Sequence, residues 1–318
     1  MSYEREKIIA IEAVLAATQL CEQVRQQISP AAIEKKDKSP VTIADYGSQA
    51  LICRALAEAF PQDPVIAEEE AAALGSAEMK LQLQQVTDSI RQVIPTVVPA
   101  EVLNWIGHGS AQSGDRYWTL DPIDGTKGFL RQDQYAVALA LVEAGEIKVG
   151  VLSCPALSLN GLGPGLLFTA VRGEGATMRS LENEASQPIQ VAQGTQNLRF
   201  VESVESGHGN QSQQSAIAQT VGITAPSLRM DSQAKYAAVA TGEAALYLRL
   251  PSPKTPDYRE KIWDHAAGVI VVEEAGGKVT DMYGQKLDFT QGAKLVHNQG
   301  VIVSNGRLHD QVIAALAT

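Results

Sequence analysis

The stretch Trp118-Thr119-Leu120-Asp121-Pro122-Ile123-Asp124-Gly125-Thr126-Lys127-Gly128-Phe129-Leu130 decides how the rest of the chain is read. Trp118, Thr119 and Leu120 predict a short buried strand. Pro122 has no amide proton and predicts the end of ladder pairing and a tight turn. Asp121 and Asp124 leave that turn three residues apart. Gly125 permits a positive φ or close approach of a ligand to the backbone, and Thr126 stands where a helical turn can begin and direct unpaired N–H groups at an anion. Hard oxygen donors beside an anion cradle suit Mg²⁺, which takes one or two carboxylates plus waters and phosphate oxygens rather than an all-protein cage. The spacing suggests metal-assisted transfer of a phosphoryl group to water. The plainer reading of Asp-Pro-Ile-Asp-Gly-Thr is an ordinary turn, since Asp, Pro, Gly and Thr all form turns.

The rest of the composition is compatible with such an enzyme. A chain of 318 residues, 45% hydrophobic, forms one large domain or two mid-sized ones with an ample core. Cys21, Cys53 and Cys154 are widely spaced, which implies reduced thiols rather than a disulfide framework or a zinc site. The opening Met1 to Lys7 is too charged for a secretory signal, and no run reaches membrane-spanning length, so a soluble cytoplasmic protein is expected. A formal charge of −10 argues against a nucleic-acid polymer as partner. It does not argue against a small phosphorylated substrate, whose charge is met locally by cations.

Taken in order, apolar residues at helical spacing predict a helix from Arg5 to about Ile28. After a polar loop over Lys35 to Pro40, Asp45 is expected at the start of a second helix, Tyr46 to Phe60, where an acid also serves as a dipole partner. Phe60 to Pro64 reads as a turn, and Val65-Ile66-Ala67 as a strand that empties into Glu68-Glu69-Glu70. Between Ala71 and Gly114 a helix is expected around Met79 to Ile94, with His108 in a flexible loop and a loop able to open and close over the site. Tyr135 to Val142, Lys148 to Ser153, Leu167 to Val171 and Ala176 to Met178 read as strands of a largely antiparallel sheet. Beyond Leu181, strands at 198–201, 245–250 and 300–304 alternate with helices at 212–221, 234–240, 263–276 and from Arg307, which indicates a three-layer α/β/α arrangement. The expected organisation is an α+β lobe over 1–180 and an α/β lobe over 181–318.

The segment from Trp118 to Arg131 resembles the lithium-sensitive, Mg²⁺-dependent phosphatases of the inositol monophosphatase superfamily, and Lys127-Gly-Phe-Leu-Arg131 resembles their bisphosphate nucleotidase branch. Asp37-Lys-Ser-Pro-Val-Thr-Ile-Ala-Asp45 is similar to the family segment whose Asp orients a catalytic Thr, and Glu68 to the family's metal-binding Glu. Trp263-Asp-His-Ala-Ala-Gly268 with Glu273 to Asp281 is similar to its other signature, which implies that Asp264 completes the metal site instead of serving only as a helix cap. Val204 to His208, Asp231 to Tyr236 and Tyr247 to Pro251 look like the nucleotidase segments that hold the adenosine and its non-scissile phosphate. His208, Ser232, Lys235 and Arg249 are then the substrate candidates, although Lys235 and Arg249 alone would read as surface charges.

The resemblance implies a layered α-β-α-β-α fold and two or three Mg²⁺ ions, one held by Glu68, Asp121 and the Ile123 carbonyl, another by Asp121, Asp124 and Asp264. It implies water aligned by Thr126, which Asp45 orients, with the Gly125 and Thr126 amides on the scissile phosphate. The implied reaction removes the 3′-phosphate of 3′-phosphoadenosine 5′-phosphate. An inositol or sugar phosphatase of the same fold is the neighbouring reading. A metal-binding scaffold without turnover is a third, and none of the implied ligand positions is replaced.

Overall fold

The computed structural model describes residues 2–27, 39–159, 161–194, 198–205, 210–252, 255 and 257–317, without the side chains of 39–41. Ile28, the loop residues 35–38 and His208 lie outside them. Two long helices, α1 (Glu4–Gln26) and α2 (Ser39–Ala59), pack side by side. The buried face of α1 is Ala10, Ala13, Val14, Ala17, Leu20, Cys21 and Val24, at spacings of three and four. Its many alanines let α2 approach closely, while the bulkier Ile8 is left 45% exposed. Helix α2 begins at Ser39, six residues before Asp45, so Asp45 is inside the helix and not at its start. Pro40 stands in the opening turn, where proline is tolerated because its missing N–H would have no helical partner.

The first sheet runs in chain order: β1 (Val65–Ala67), β2 (Arg116–Asp124), β3 (Ala136–Glu143), β4 (Glu146–Cys154), β5 (Leu166–Val171), β6 (Gly175–Ser180) and β7 (Gln187–Pro188). The β1–β2 pair is parallel and the other pairs are antiparallel. Strand β3 is buried on both faces, which explains its unbroken apolar run. Val137, Leu139 and Leu141 pack in the cluster of α1 and α2. Ala136, Ala138, Ala140 and Val142 face helices α8 (Ala234–Ala240) and α9 (Ala266–Glu274).

Beyond α8 and α9 lies a mixed sheet in the order β11 (Lys278–Thr280), β12 (Val301–Ser304), β10 (Leu246–Arg249), β8 (Phe200–Ser203) and β9 (Leu228–Met230). Helices α7 (Gln211–Thr220) and α10 (His309–Leu316) cover its far side through a third apolar cluster. The result is the expected α-β-α-β-α layering. The Ala71–Gly114 stretch contains the helix expected around Met79 to Ile94, as α4 (Lys80–Arg91), but the rest differs: with α3 (Ala71–Leu74) and α5 (Pro99–Gly107) it packs as helices, α4 and α5 on α2, and none of its residues lines the cavity that Asp121 lines. His108 closes α5 as its C-terminal cap residue.

Glycines set the closeness of the middle layer. A Cβ at Gly150 of β4 would lie 2.3 Å from Ile270 Cγ2 of α9, and one at Gly268 of α9 would lie 2.4 Å from the Tyr236 ring of α8. Gly268→Ala is therefore expected to force Tyr236 aside and cost about 1–3 kcal/mol, the range for overpacking a filled core. Urea unfolding measures this directly, and unaltered stability would contradict such tight packing.

Candidate active site

Strand β2 runs on through Pro122 to Asp124, where the sequence predicted a turn. It does so through a bulge. Asp121 pairs with Ala138 and Asp124 with Ala136, so two residues, Pro122 and Ile123, stand opposite the single residue Val137. Strand β1 has already ended opposite Leu120, so Pro122 needs no ladder donor on either side. Its carbonyl accepts a hydrogen bond of 3.0 Å from Ser48 Oγ of α2. In a regular strand residues three apart point to opposite faces. The extra residue restores parity, and Asp121 and Asp124 line one cavity. Gly125 then turns the chain at φ 90°, and α6 (Thr126–Leu130) starts as the motif predicted.

The cavity holds about 270 Å³ and brings together Glu68, Asp121, Ile123, Asp124, Gly125, Thr126, Ser232, Lys235, Arg249 and Asp264. Glu68 follows β1 on a loop that Gln49 of α2 clamps. Gln49 Nε2 donates to the Glu69 carbonyl at 2.7 Å and Gln49 Oε1 accepts from the Glu69 amide at 3.0 Å. Asp264 sits just ahead of α9, which begins at Ala266. Asp45 is 5% exposed, and its helix α2 packs against α6, which carries Thr126. Lys235 and Arg249 are not surface charges. Lys235 is 5% exposed, and its ammonium donates to the Ser232 carbonyl at 2.7 Å. The Arg249 side chain is 20% exposed and paired with Glu260. Both residues lie on buried elements, α8 and β10, whose apolar flanks carry the charges inward.

The acids are short of compensating charge. Burial raises the carboxyls of Asp121 and Asp264 well above the usual range, and neighbouring carboxylates raise them further. Glu68, although exposed to the cavity, is pushed up to about 7 by loss of water and by Glu69 and Asp124. Burial raises Asp124 as well, with Lys235 and the Gln233 amide pulling the other way. Asp45 is raised by burial, Glu69 and Glu68. Among the described residues, Asp121 Oδ1 and Asp45 Oδ1 are buried without a hydrogen-bond partner. Clustered hard oxygen donors with an unpartnered carboxylate oxygen fit a hard divalent cation. Among the described residues, Glu260, Asp264 and His265 form the group whose ligand atoms lie within 4.8 Å of one another. Glu260, however, is already bonded to Arg249 and His265, and His265 to Tyr236, so the Glu68, Asp121, Asp124 and Asp264 group fits better.

Burial lowers Lys235 to about 8, with Asp124 opposing the shift. Ser232 adopts φ 61°, an uncommon conformation for a residue with a side chain, and its Oγ accepts from the Ala234 amide at 3.2 Å. Gln233 is not among the residues that the sequence singles out. Its amide donates to Asp124 Oδ2 at 2.5 Å, its Nε2 to the Trp263 carbonyl at 2.9 Å, and its Oε1 accepts from the Gly268 amide at 3.0 Å. One buried residue thereby ties the β2 carboxylate to the segment bearing Asp264. The only sequence signal was its place between Ser232 and Lys235. At the mouth, Glu205 pairs with Lys127 and Arg131, and Arg131 also pairs with Asp231.

The inositol monophosphatase family matches residues 3–318. A 3′(2′),5′-bisphosphate nucleotidase of Emericella nidulans is 43% identical, covering 99% of this chain and 98% of its own. One from Oryza sativa is 41% identical over 99% and 94%. Among solved structures, CysQ from Bacteroides thetaiotaomicron, a bacterial member of the family, superposes with a TM-score of 0.65 at 23% identity over 96% of this chain and 98% of its own. The Anabaena inositol monophosphatase superposes at 0.62 and 23% identity over 100% and 97%, and both likenesses speak for the fold alone. The chain belongs to the inositol monophosphatase family. Its full-length relatives place it among that family's bisphosphate nucleotidases, so the family, the branch and the expectation of an enzyme all hold.

The electrostatics have a measurable consequence in chelator. Unfolded, Glu68 releases its proton near the ordinary 4.5, and folded only near 7, so between those values the folded state holds more protons. Stability should therefore fall as pH rises through that window, with Asp121, Asp124 and Asp264 adding in the same direction. Calorimetry should show the melting temperature declining, and Glu68→Gln should flatten the decline. A melting temperature that rises across this window would contradict the account.

Proposed function

We propose that the chain hydrolyses the 3′-phosphate of 3′-phosphoadenosine 5′-phosphate to give AMP and inorganic phosphate, and accepts the sulfated analogue at the same site. The observation that carries this reading is the presence of both signs in one cavity. Carboxylates from β2, the β1 loop and the α9 approach line it together with Lys235, Arg249 and Ser232. A substrate with a phosphate at each end has use for both sets, as the names of the full-length relatives suggest.

On the acidic side Glu68, Asp121, the Ile123 carbonyl, Asp124 and Asp264 would hold Mg²⁺, two or three ions in all. Bound there, the cations supply Lewis-acid stabilisation of developing phosphate charge and a more acidic water. The chain's own groups do the rest. Thr126, oriented by Asp45, aligns the water whose oxygen attacks phosphorus as the 3′-oxygen leaves and takes up a proton. The amides of Gly125 and Thr126 donate to the phosphate oxygens, and as part of a fixed backbone they need no reorganisation during the reaction. Ser232, Lys235 and Arg249 hold the second phosphate, and His208 joins them on the nucleoside. The division near residue 180 then separates most metal ligands from the substrate-binding residues, with Asp264 crossing over.

The three cysteines are free and buried, in keeping with a reducing compartment, and we assign the protein to the cytoplasm. No helix among the described residues is long and apolar enough to cross a membrane.

Phosphate release from 3′-phosphoadenosine 5′-phosphate, inositol 1,4-bisphosphate, inositol 1-phosphate and fructose 1,6-bisphosphate tests the reading. The nucleotide should be strongly preferred, with activity lost in chelator and suppressed by Li⁺. Preference for an inositol or sugar phosphate would remove the roles given to His208, Ser232, Lys235 and Arg249. Asp121→Asn should lower turnover by orders of magnitude in a folded protein, and near-normal turnover would remove the metal assignment.

A further inference from the structure

We propose that Glu260 is a specificity-determining positioning residue, the end of a buried hydrogen-bonded chain from Tyr236 through His265 that holds the Arg249 guanidinium for the phosphate that is not cleaved. The proposal rests on the bisphosphate reading given above.

The chain of contacts is continuous. Tyr236 Oη meets His265 Nδ1 at 2.6 Å, His265 Nε2 meets Glu260 Oε2 at 3.3 Å, and Arg249 Nε donates to Glu260 Oε1 at 3.1 Å. Tyr236, His265 and Glu260 are 1%, 2% and 7% exposed, so solvent offers them little alternative bonding. Burial by itself would raise the Glu260 carboxyl, but His265 and Arg249 outweigh it and hold the group at about 2. An ionised carboxylate only accepts, so His265 Nε2 carries the shared proton and the direction of that bond is determined.

Both ends of the chain are anchored. The Tyr236 ring packs so closely on α9 that Gly268 has no room for a Cβ. The Glu260 carbonyl accepts from the Leu295 amide at 2.9 Å, which secures the segment carrying the carboxylate. Arg249, the last residue of β10, is itself paired in the sheet with Val301. Its guanidinium therefore has little freedom.

A carboxylate beside Arg249 weakens the net attraction of this site for an anion. A site selected only for positive charge would lack it. What Glu260 supplies is orientation. It takes the Nε edge, and the remaining N–H groups of the five are left for a ligand in the cavity that Arg249 lines. A planar guanidinium binds phosphate through two parallel bonds only when its plane is correctly set. The motif signal was slight, since Glu260 lies just outside the Lys261-Ile-Trp-Asp segment and alone reads as a surface acid.

The test compares 3′-phosphoadenosine 5′-phosphate with adenosine 3′-monophosphate, which lacks the phosphate assigned to Arg249. Glu260→Ala should raise KM for the bisphosphate about tenfold, with the loss falling on KM more than on kcat and with a much smaller rise for the monophosphate. Glu260→Gln keeps shape and an acceptor but halves the strength of a charged bond, and should raise KM about threefold. Tyr236→Phe, which leaves the Glu260–Arg249 pair in place, should move KM in the same direction by about twofold and serves should Glu260→Ala fail to fold. Thermal melting of each variant reports folding. A fall in KM for Glu260→Gln would show that Glu260 only neutralises Arg249 and would overturn the proposal. Equal rises for the two substrates would overturn it as well. A wild-type enzyme without preference for the bisphosphate would instead overturn the substrate reading, whatever the variants do.

Discussion

The crowding of Glu68, Asp121, Asp124 and Asp264 in one water-poor cavity is the constraint to which the remaining structure answers. No folding force favours bringing four acids there, and their proton affinities are raised first by burial, with neighbouring carboxylates adding at Glu68, Asp121 and Asp264. The fold overcomes it through a two-sided apolar sheet and a layer of helices drawn in against it at Gly150 and Gly268. The bulge at Pro122 turns both aspartates of β2 the same way, a local departure from strand geometry kept at the chemically reactive edge.

The cations of the same cavity meet a related difficulty with the opposite sign. Lys235 and Arg249 are cations drawn into the protein, and each is secured by fixed acceptors, backbone carbonyls for Lys235 and Glu260 for Arg249. Gln233 ties the Asp124 carboxylate to the segment that carries Asp264 through three bonds to backbone and carboxylate.

Much of this was legible in the sequence because it depends on local pattern. The β3 run, the α8 segment and the Gly125–Thr126 helix start appear where apolar periodicity and turn chemistry placed them. Features that depend on distant partners were less so. The strand through Pro122 depends on β1 ending opposite Leu120 and on Ser48, more than 70 residues away, accepting the role of partner to its carbonyl. The start of α2 before Asp45 followed from a permissive proline that local reading took for a loop. Burial of Lys235 and Arg249 and the positions of Gln233 and Glu260 are tertiary facts, since nothing in a lone Gln or Glu announces which backbone it will meet.

The most direct test of the central claim, that the Asp121-centred carboxylates form a cation site, is anomalous diffraction from crystals soaked in Mn²⁺. The account places peaks among the oxygens of Glu68, Asp121, Asp124 and Asp264. A peak confined to Glu260, Asp264 and His265, or no peak beside Asp121 at saturating Mn²⁺, would contradict it.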